Sequence, residues 1–416
     1  MNFHHLRVLA VAGTLGVAPW VEAGEALRLE QALSRAMSAN PALEAEVLQL
    51  DAVQTKAERE GLPPRFVVSA ELENFAGSGA LRGLDSAEAT LRIGRPLELG
   101  GKRSARQALG AAEMDRQRSA TDLARLDIKS RTALRFIEVA VDQQRLAFAQ
   151  QHFDQTERTR REVARWVAAA RNPESDLAAA EIAVANAELE REHAEHELLS
   201  ARIALAAMWG VAAPDFEAVE MAFSSLPEPA SFEALAAQLP DSLEQKLWQQ
   251  EARAVDARRR VAEANQTPDL DFTIGIRHLE NSRDQGLVMG IALPLGSGGR
   301  ASYAISEANA QLAAIEARRK AEHFERYQLL FEKYQELTHA RTEIESLRTR
   351  VLPKAEQALA FTRRGFEAGR FSFLSLSQAQ ATLFDLRRRE LEACARYHVL
   401  RFELDRLAAN TQDIAS

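Results

Sequence analysis

The chain has one cysteine, Cys394, in 416 residues. An intramolecular disulfide and a thiolate metal cluster are therefore excluded. Cys394 lies on the apolar side of a helical pattern, where a buried, inert thiol is expected. Aromatic residues make up only 6%, too few for the large globular core that this length would allow. Beyond the N-terminal segment no run of about 18 apolar residues occurs, so no transmembrane helix is expected. The 52 basic and 60 acidic residues give a formal charge of −8 and are interspersed, so no basic block marks a nucleic-acid surface. There is no phosphate-binding glycine loop, no Ser-His-Asp pattern and no thioether cluster among the six methionines. The sequence points to no catalytic centre and to no cofactor.

What the sequence does have is alanine, leucine, glutamate, arginine and glutamine in long uninterrupted stretches, the composition of extended helices and coiled coils. At the N-terminus, His4, His5 and Arg7 precede the apolar run Val8 to Val17, which is too short to span a bilayer. Val21-Glu-Ala23 fits a small-residue cleavage site, so residues 1–23 are expected to be a secretory signal. No cysteine follows that site to carry a lipid.

The remainder is written twice, as residues 24–225 and 226–416. Pro41-Ala-Leu-Glu44 matches Pro240-Asp-Ser-Leu-Glu244, Pro96 matches Pro294, and Ala170 to Leu177 matches Gly369 to Leu376. The offset is close to 200 throughout, the mark of an internal duplication. Each half reads helix, strand, loop, strand, very long helix, break, helix. The strands are expected at about 64–74, 87–97, 268–278 and 286–295. Phe66, Val68, Ala70 and Leu72 alternate with Ser69 and Glu71, and Ala87, Ala89, Leu91 and Ile93 with Glu88, Thr90 and Arg92. In the second half Leu270, Phe272, Ile274 and Ile276 alternate with Asp271, Thr273 and Arg277, and Leu287, Met289 and Ile291 with Val288 and Gly290.

Period-two patterning over about 9 to 11 residues suits a tilted strand crossing a bilayer, apolar outside and wet inside. Glu71, Arg92, Asp271 and Arg277 would then face a lumen. Four strands cannot close a barrel, and an open edge in lipid leaves unsatisfied backbone groups. The alternative is a pair of soluble hairpins with one face on a core, for which the chain offers little else to bury; if the strands span, the chain must oligomerise, and three copies would supply 12 strands. Each half leaves its second strand through a corner containing proline and a glycine pair: Pro96 with Gly100 and Gly101, and Pro294 with Gly298 and Gly299. Proline ends the ladder and glycine permits the reversal.

Long helices are expected at about 104–171, 301–362 and 374–408. Leu134, Ile137 and Val141 form one stripe on the first, and Phe136, Val139 and Leu146 a second beside it. In the last helix a seam from Leu383 to Leu407 is interrupted only by Glu390. The helical pattern breaks at Asn172, Pro173, Glu174, Ser175 and Asp176, and again at Gly369, Arg370, Phe371, Ser372, Phe373, Leu374, Ser375 and Gln378. Ser175 or Ser372 could cap the helix that follows. Both breaks lie about 100 Å from the strands. They read either as plain helix-hairpin turns or as exposed tips that another protein grips; Phe371 and Phe373, apolar and far from any core, favour the second. His193 and His196, one turn apart, can hold a metal, yet a charged, solvated helix face is the reading that explains them, and no metal site is assigned.

Taken together, the duplicated halves, the corner Pro96-Leu-Glu-Leu-Gly-Gly-Lys-Arg103 and the stretch Arg364 to Leu374 followed by Ala379-Gln-Ala-Thr-Leu383 resemble the TolC-like outer membrane efflux protein family. The resemblance covers the mature chain, and Leu-Glu-Leu-Gly-Gly-Lys-Arg is most similar to the branch serving heavy-metal exporters of the resistance-nodulation-division class. It implies a mainly α protein with a membrane β-barrel: a homotrimer whose 12-stranded outer-membrane barrel stands on a periplasmic helical tunnel. It also implies tips that dock a periplasmic adaptor (membrane fusion) protein and, through it, an inner-membrane pump. Relatives often carry aspartates just after the second tip; Ser375 and Gln378 stand there, and Asp176 occupies the matching place in the first half. The outer component of a drug-efflux or type I protein-secretion system shares this architecture, and a soluble periplasmic adaptor is a further alternative.

Overall fold

With so few aromatics the chain builds long thin seams rather than one core. The computed structural model describes residues 26–294 and 296–409; the expected signal segment lies outside them. In the first half α1 (Leu29–Ala39) and α2 (Pro41–Glu60) lead to β1 (Val67–Glu73) and β2 (Glu88–Leu97), then α3 (Lys102–Ala168) and α4 (Glu174–Ala206). The second half runs α5 (Phe232–Ala236), α6 (Leu243–Ala264), β3 (Leu270–Leu279), β4 (Asp284–Ala292), α7 (Ser297–Ser346), α8 (Leu352–Glu367) and α9 (Phe373–Ala408). No described helix is long and apolar enough to cross a membrane.

The strands form one antiparallel sheet in the order β1-β2-β3-β4, so the two halves meet at β2 and β3. Register puts Val68 opposite Ile93, Ile93 opposite Ile274 and Ile274 opposite Met289, and these side chains are all exposed on one face. On the other face Arg92 pairs with Glu71. There Arg277 donates to Glu88 (2.8 Å), Glu73 (3.2 Å) and the Thr90 hydroxyl (3.0 Å). An apolar face turned outward and an ion-paired face turned the other way is the cross-section of a barrel wall in lipid. The outer edges of β1 and β4 have no ladder partner among the described residues, which is the edge problem that further strands must solve.

α3 runs 67 residues without a break, about 100 Å. Its two stripes face different neighbours. Ile137 and Val141 join Leu337, Ile344, Tyr397 and Leu404 from the second half. Phe136 and Val139 join Leu198, Leu205, Trp209 and Phe216. The segment between the halves closes around the helices at this level: Leu27 bridges Val219, and the Gln143 side chain bonds both the Val219 N–H (2.7 Å) and its carbonyl (3.1 Å). Phe223, Leu235 and Leu239 then complete the larger cluster.

The helix matching α3 in the second half is interrupted. A π-turn at residues 347–351 separates α7 from α8, with Pro353 just behind it. Proline has no N–H and its ring crowds the carbonyl four residues back, and a π-turn is the usual local accommodation. It carries Arg348, which reaches Glu390 (2.6 Å), the Ser224 carbonyl (3.1 Å) and Cys394 Sγ (3.4 Å). The glutamate that breaks the α9 seam is thereby satisfied. Cys394 is buried, and burial pushes its thiol pKa up despite the nearby Arg348 charge.

His398 is the one buried histidine among the described residues. Its Nε2–H donates to the Phe223 carbonyl (2.9 Å), and burial lowers its pKa against that bond's opposing effect. The folded state therefore binds fewer protons than the unfolded state between the lowered pKa and about 6.5. Stability is complete above that window and falls as pH drops through it. Thermal melts at pH 7.5 and 5.5 should show a larger loss on acidification for the native chain than for His398→Gln; equal losses would remove His398 as the cause.

Candidate docking tips and barrel junction

The corner after β2 accounts for nearly every residue of Glu98-Leu-Gly-Gly-Lys-Arg103. Gly100 (φ 69°) and Gly101 (φ 73°) are both left-handed, a conformation that costs glycine nothing. A Cβ on Gly100 would also stand 2.8 Å from Thr267. Lys102 bonds Asp269 of the second half (2.7 Å), and Arg103 donates to the Gly61 carbonyl (2.8 Å). Glu98 pairs with Arg106, which also holds the Glu60 carbonyl (2.7 Å). α2, β2, β3 and α3 are thereby tied together at one level.

The second corner is built differently. Gly298 and Gly299, expected to form it, lie inside the first turn of α7, and Gly296 (φ 95°) supplies the left-handed residue. Pro294 precedes it just beyond β4. By the offset that matches Pro96 to Pro294, α7 starts three residues early, because one left-handed glycine suffices for the reversal.

The two breaks are the same turn. Ala170 (φ 55°) and Gly369 (φ 71°) occupy equivalent left-handed positions. The next residue closes the turn each time, Arg171 N–H to the Trp166 carbonyl and Arg370 N–H to the Gly365 carbonyl, both 2.8 Å. This is the six-to-one bond of a Schellman cap. Ser372 caps α9 by accepting from the Ser375 N–H. Ser175 does not cap α4; Pro173 stands at that cap position, and the Asn172 amide donates to Asp176 (2.8 Å).

A small core lies immediately behind the turns, which the sequence did not suggest. Val163, Ala180, Phe366, Phe373 and Leu376 are buried together, and the Trp166 and Phe366 rings meet across the hairpins in a tilted contact, 4.5 Å between centroids. Phe373, expected at the surface, belongs to this core and helps hold the hairpins to each other. Phe371 is 51% exposed and Leu374 72%. Pro173, Glu174, Ser175, Arg370, Ser375 and Gln378 are exposed around them. The first turn of α4 carries two acids, Glu174 and Asp176, whereas the first turn of α9 has none; Glu367, the last residue of α8, is a further exposed acid at this end. His193 and His196 stand on the solvent face of α4, each within 4 Å of a glutamate one turn away. No group of three metal-ligating side chains occurs among the described residues.

Comparison with known proteins agrees with this geometry. Residues 32–211 and 241–410 match the family described as outer membrane efflux protein. The chain is 31% identical over 388 residues to the cobalt-zinc-cadmium resistance protein CzcC of Cupriavidus metallidurans, covering 93% of this chain and 91% of that one. Among solved structures, CusC aligns with a TM-score of 0.77 at 15% identity over 92% of both chains. The outer membrane protein VceC of Vibrio cholerae aligns with a TM-score of 0.76 at 18% identity, over 92% of this chain and 96% of that one. With its duplicated halves, exposed apolar strands and helical hairpins, the chain belongs to the outer membrane efflux protein family, strands in the outer membrane and helices in the periplasm.

Proposed function

We propose that this chain is the exit duct of a tripartite exporter of divalent heavy-metal cations. Three copies supply 12 strands. A periplasmic adaptor meets the tips, and an inner-membrane pump of the resistance-nodulation-division class supplies the energy. The observation that carries the reading is the pairing of an unfinished sheet with hairpin tips at its far end: one end must be closed by sister copies, the other presents a free surface. The metal assignment is supported by the relative named for cobalt, zinc and cadmium resistance, similar along nearly its whole length. A deletion strain should become sensitive to cobalt, zinc and cadmium while its protein secretion and detergent tolerance stay unchanged. Sensitivity to detergents alone would favour a drug duct.

The tips give a sharper test. Phe371→Asp with Leu374→Asp alters only exposed apolar side chains and should abolish metal resistance while the heat-resistant trimer persists on a gel. Phe373→Asp places a charge in the tip core and should reduce the trimer itself. Full resistance in the first variant would remove the tips as a docking surface.

A further inference from the structure

The duplication ties the junction inside the chain to the one between copies. Pro96 and Pro294 correspond at an offset of 198. Val67 lies opposite Gly94, and Asp271 opposite Ala292. With that offset for β2 and β4, β1 corresponds to β3 at an offset of 204, which also places Pro64 on Pro268. Inside the chain, the corner after β2 is locked to the residue just before β3. The Asp269 carboxylate accepts from Lys102 Nζ (2.7 Å) and from the Leu99 N–H (3.3 Å). At the seam between copies the matching positions are Arg300 and Arg65 of the next copy. Arg300 lies as many residues beyond Pro294 as Lys102 beyond Pro96.

A cation thus stands where the first junction has its accepting acid. Arg65 and Arg300 are both exposed, and neither enters an ion pair among the described residues. The acids of the first corner are already engaged, Glu98 by Arg106 and Asp269 by Lys102. Beside Arg300 a cleft of about 660 Å³ opens between the end of α6 and the start of α7, bordered by Asn265, Pro294 and Gly296. The level is the foot of the barrel: Phe66, next to Arg65, is exposed, and the Arg95 guanidinium lies 4.9 Å from its ring centroid. Two guanidinium groups brought together repel unless an anion lies between them. The planar fork of arginine matches the oxygens of a phosphate.

We infer that each seam between copies carries an anion site at the foot of the barrel, where Arg300 of one copy and Arg65 of the next hold one phosphate group. Its source is the diester of an inner-leaflet phospholipid or the free ion. Three such sites alternate around the trimer with the three Lys102–Asp269 bridges. The inference rests on the reading that β4 of one copy closes on β1 of the next.

The trimer remaining after graded heating in neutral detergent, read by size-exclusion chromatography, reports occupancy. Native trimer should dissociate about 3 °C higher with phosphatidylglycerol or inorganic phosphate than with chloride at equal ionic strength. A rise with phosphatidylglycerol alone identifies the lipid diester, and a rise with inorganic phosphate identifies the free ion. Arg65→Asp rebuilds at the seam the bridge that Lys102 makes inside the chain. It should dissociate above native trimer in chloride and lose the response to both anions, and Arg300→Asp should do the same from the other side. A native trimer indifferent to both anions, or variants that keep the native response, overturn the site. The seam is checked separately by Arg65→Cys with Arg300→Cys, Cys394 being buried: a bismaleimide should join neighbouring copies. A cross-link without an anion response overturns the anion site alone. Intact trimers that give no cross-link overturn the closure of β4 on β1 as well.

Discussion

Glu244→Ala lowers the melting midpoint of the periplasmic helices by roughly 5 °C, the largest stability effect expected of any single polar substitution. Glu244 lies in the first turn of α6, and its side chain is only 9% exposed. It accepts from Arg406 of α9 (2.6 Å) and from Arg326 of α7 (2.8 Å). Arg406 also grips Asp127 of α3 (2.6 Å). Burial pulls the Arg406 pKa down, but Glu244 and Asp127 outweigh it and hold the pKa above the ordinary value. One carboxylate therefore joins three helices that are remote in sequence, and Arg406 with Asp127 adds α3 as a fourth.

Removing Glu244 strands Arg326, whose side chain is 12% exposed and which then keeps, among the described residues, only the Leu407 carbonyl (2.8 Å). Breaking a buried pair from one side costs about 3–5 kcal/mol, mostly the burden of the charge left behind. An unfolding entropy of about 2.1 cal/mol/K per residue over 416 residues converts that to a few degrees. The cause can be isolated. Exchanging Glu244, Arg326 and Arg406 together for methionine leaves no buried charge stranded, since Asp127, which loses Arg406, is 45% exposed, and should recover most of the loss. If the triple variant melts lower than Glu244→Ala, attraction within the cluster, not desolvation, is what holds these helices.

Much of the architecture was legible because it depends on short periods. The alternation of Val68, Ala70 and Leu72 with Ser69 and Glu71 fixes which face meets lipid, since a strand repeats every two residues. The stripes through Phe136 and Ile137 showed that α3 has two neighbours, because a helix repeats every 3.6. The glycines at 100 and 369 marked turns, since left-handed backbone favours them. What stayed hidden depends on contacts between residues far apart in sequence. Glu244, Arg326 and Arg406 come together only when three helices pack, and each alone looks like a solvated charge. Phe373 looked exposed because its neighbours are turn residues; Val163 and Ala180, which cover it, belong to the other half. Ala170 carried no sign of its left-handed geometry, and Pro353 could be read without revealing that a π-turn would absorb it. Gly296 was masked by the more conspicuous pair two residues on.

The barrel offers the second large effect. Gly275→Ala should reduce heat-resistant trimer in the outer membrane roughly tenfold or more, while Gly286→Ala leaves it unchanged. Both glycines lie on the polar face of the sheet, and the sequence does not distinguish them. Gly275 sits opposite Arg92 at the seam between the halves. A Cβ there would stand 2.3 Å from the Leu91 carbonyl oxygen and 3.0 Å from Arg92 Cα. Because the obstruction is backbone, no rotamer relieves it, and β2 and β3 would have to separate. Gly94, nearby on β2, faces the Phe272 carbonyl in the same way, 2.4 Å from where its Cβ would be. Around Gly286 a Cβ would meet nothing within 4 Å among the described residues of one copy. Barrel closure fixes tilt and stagger for all strands at once, so spreading one seam in each of three copies misplaces the free edges of β1 and β4 that must find each other. The paired comparison separates this geometric demand from a general intolerance of larger residues in the lumen. Equal trimer yields from the two alanine variants would show that the close approach of β2 and β3 is not required for closure.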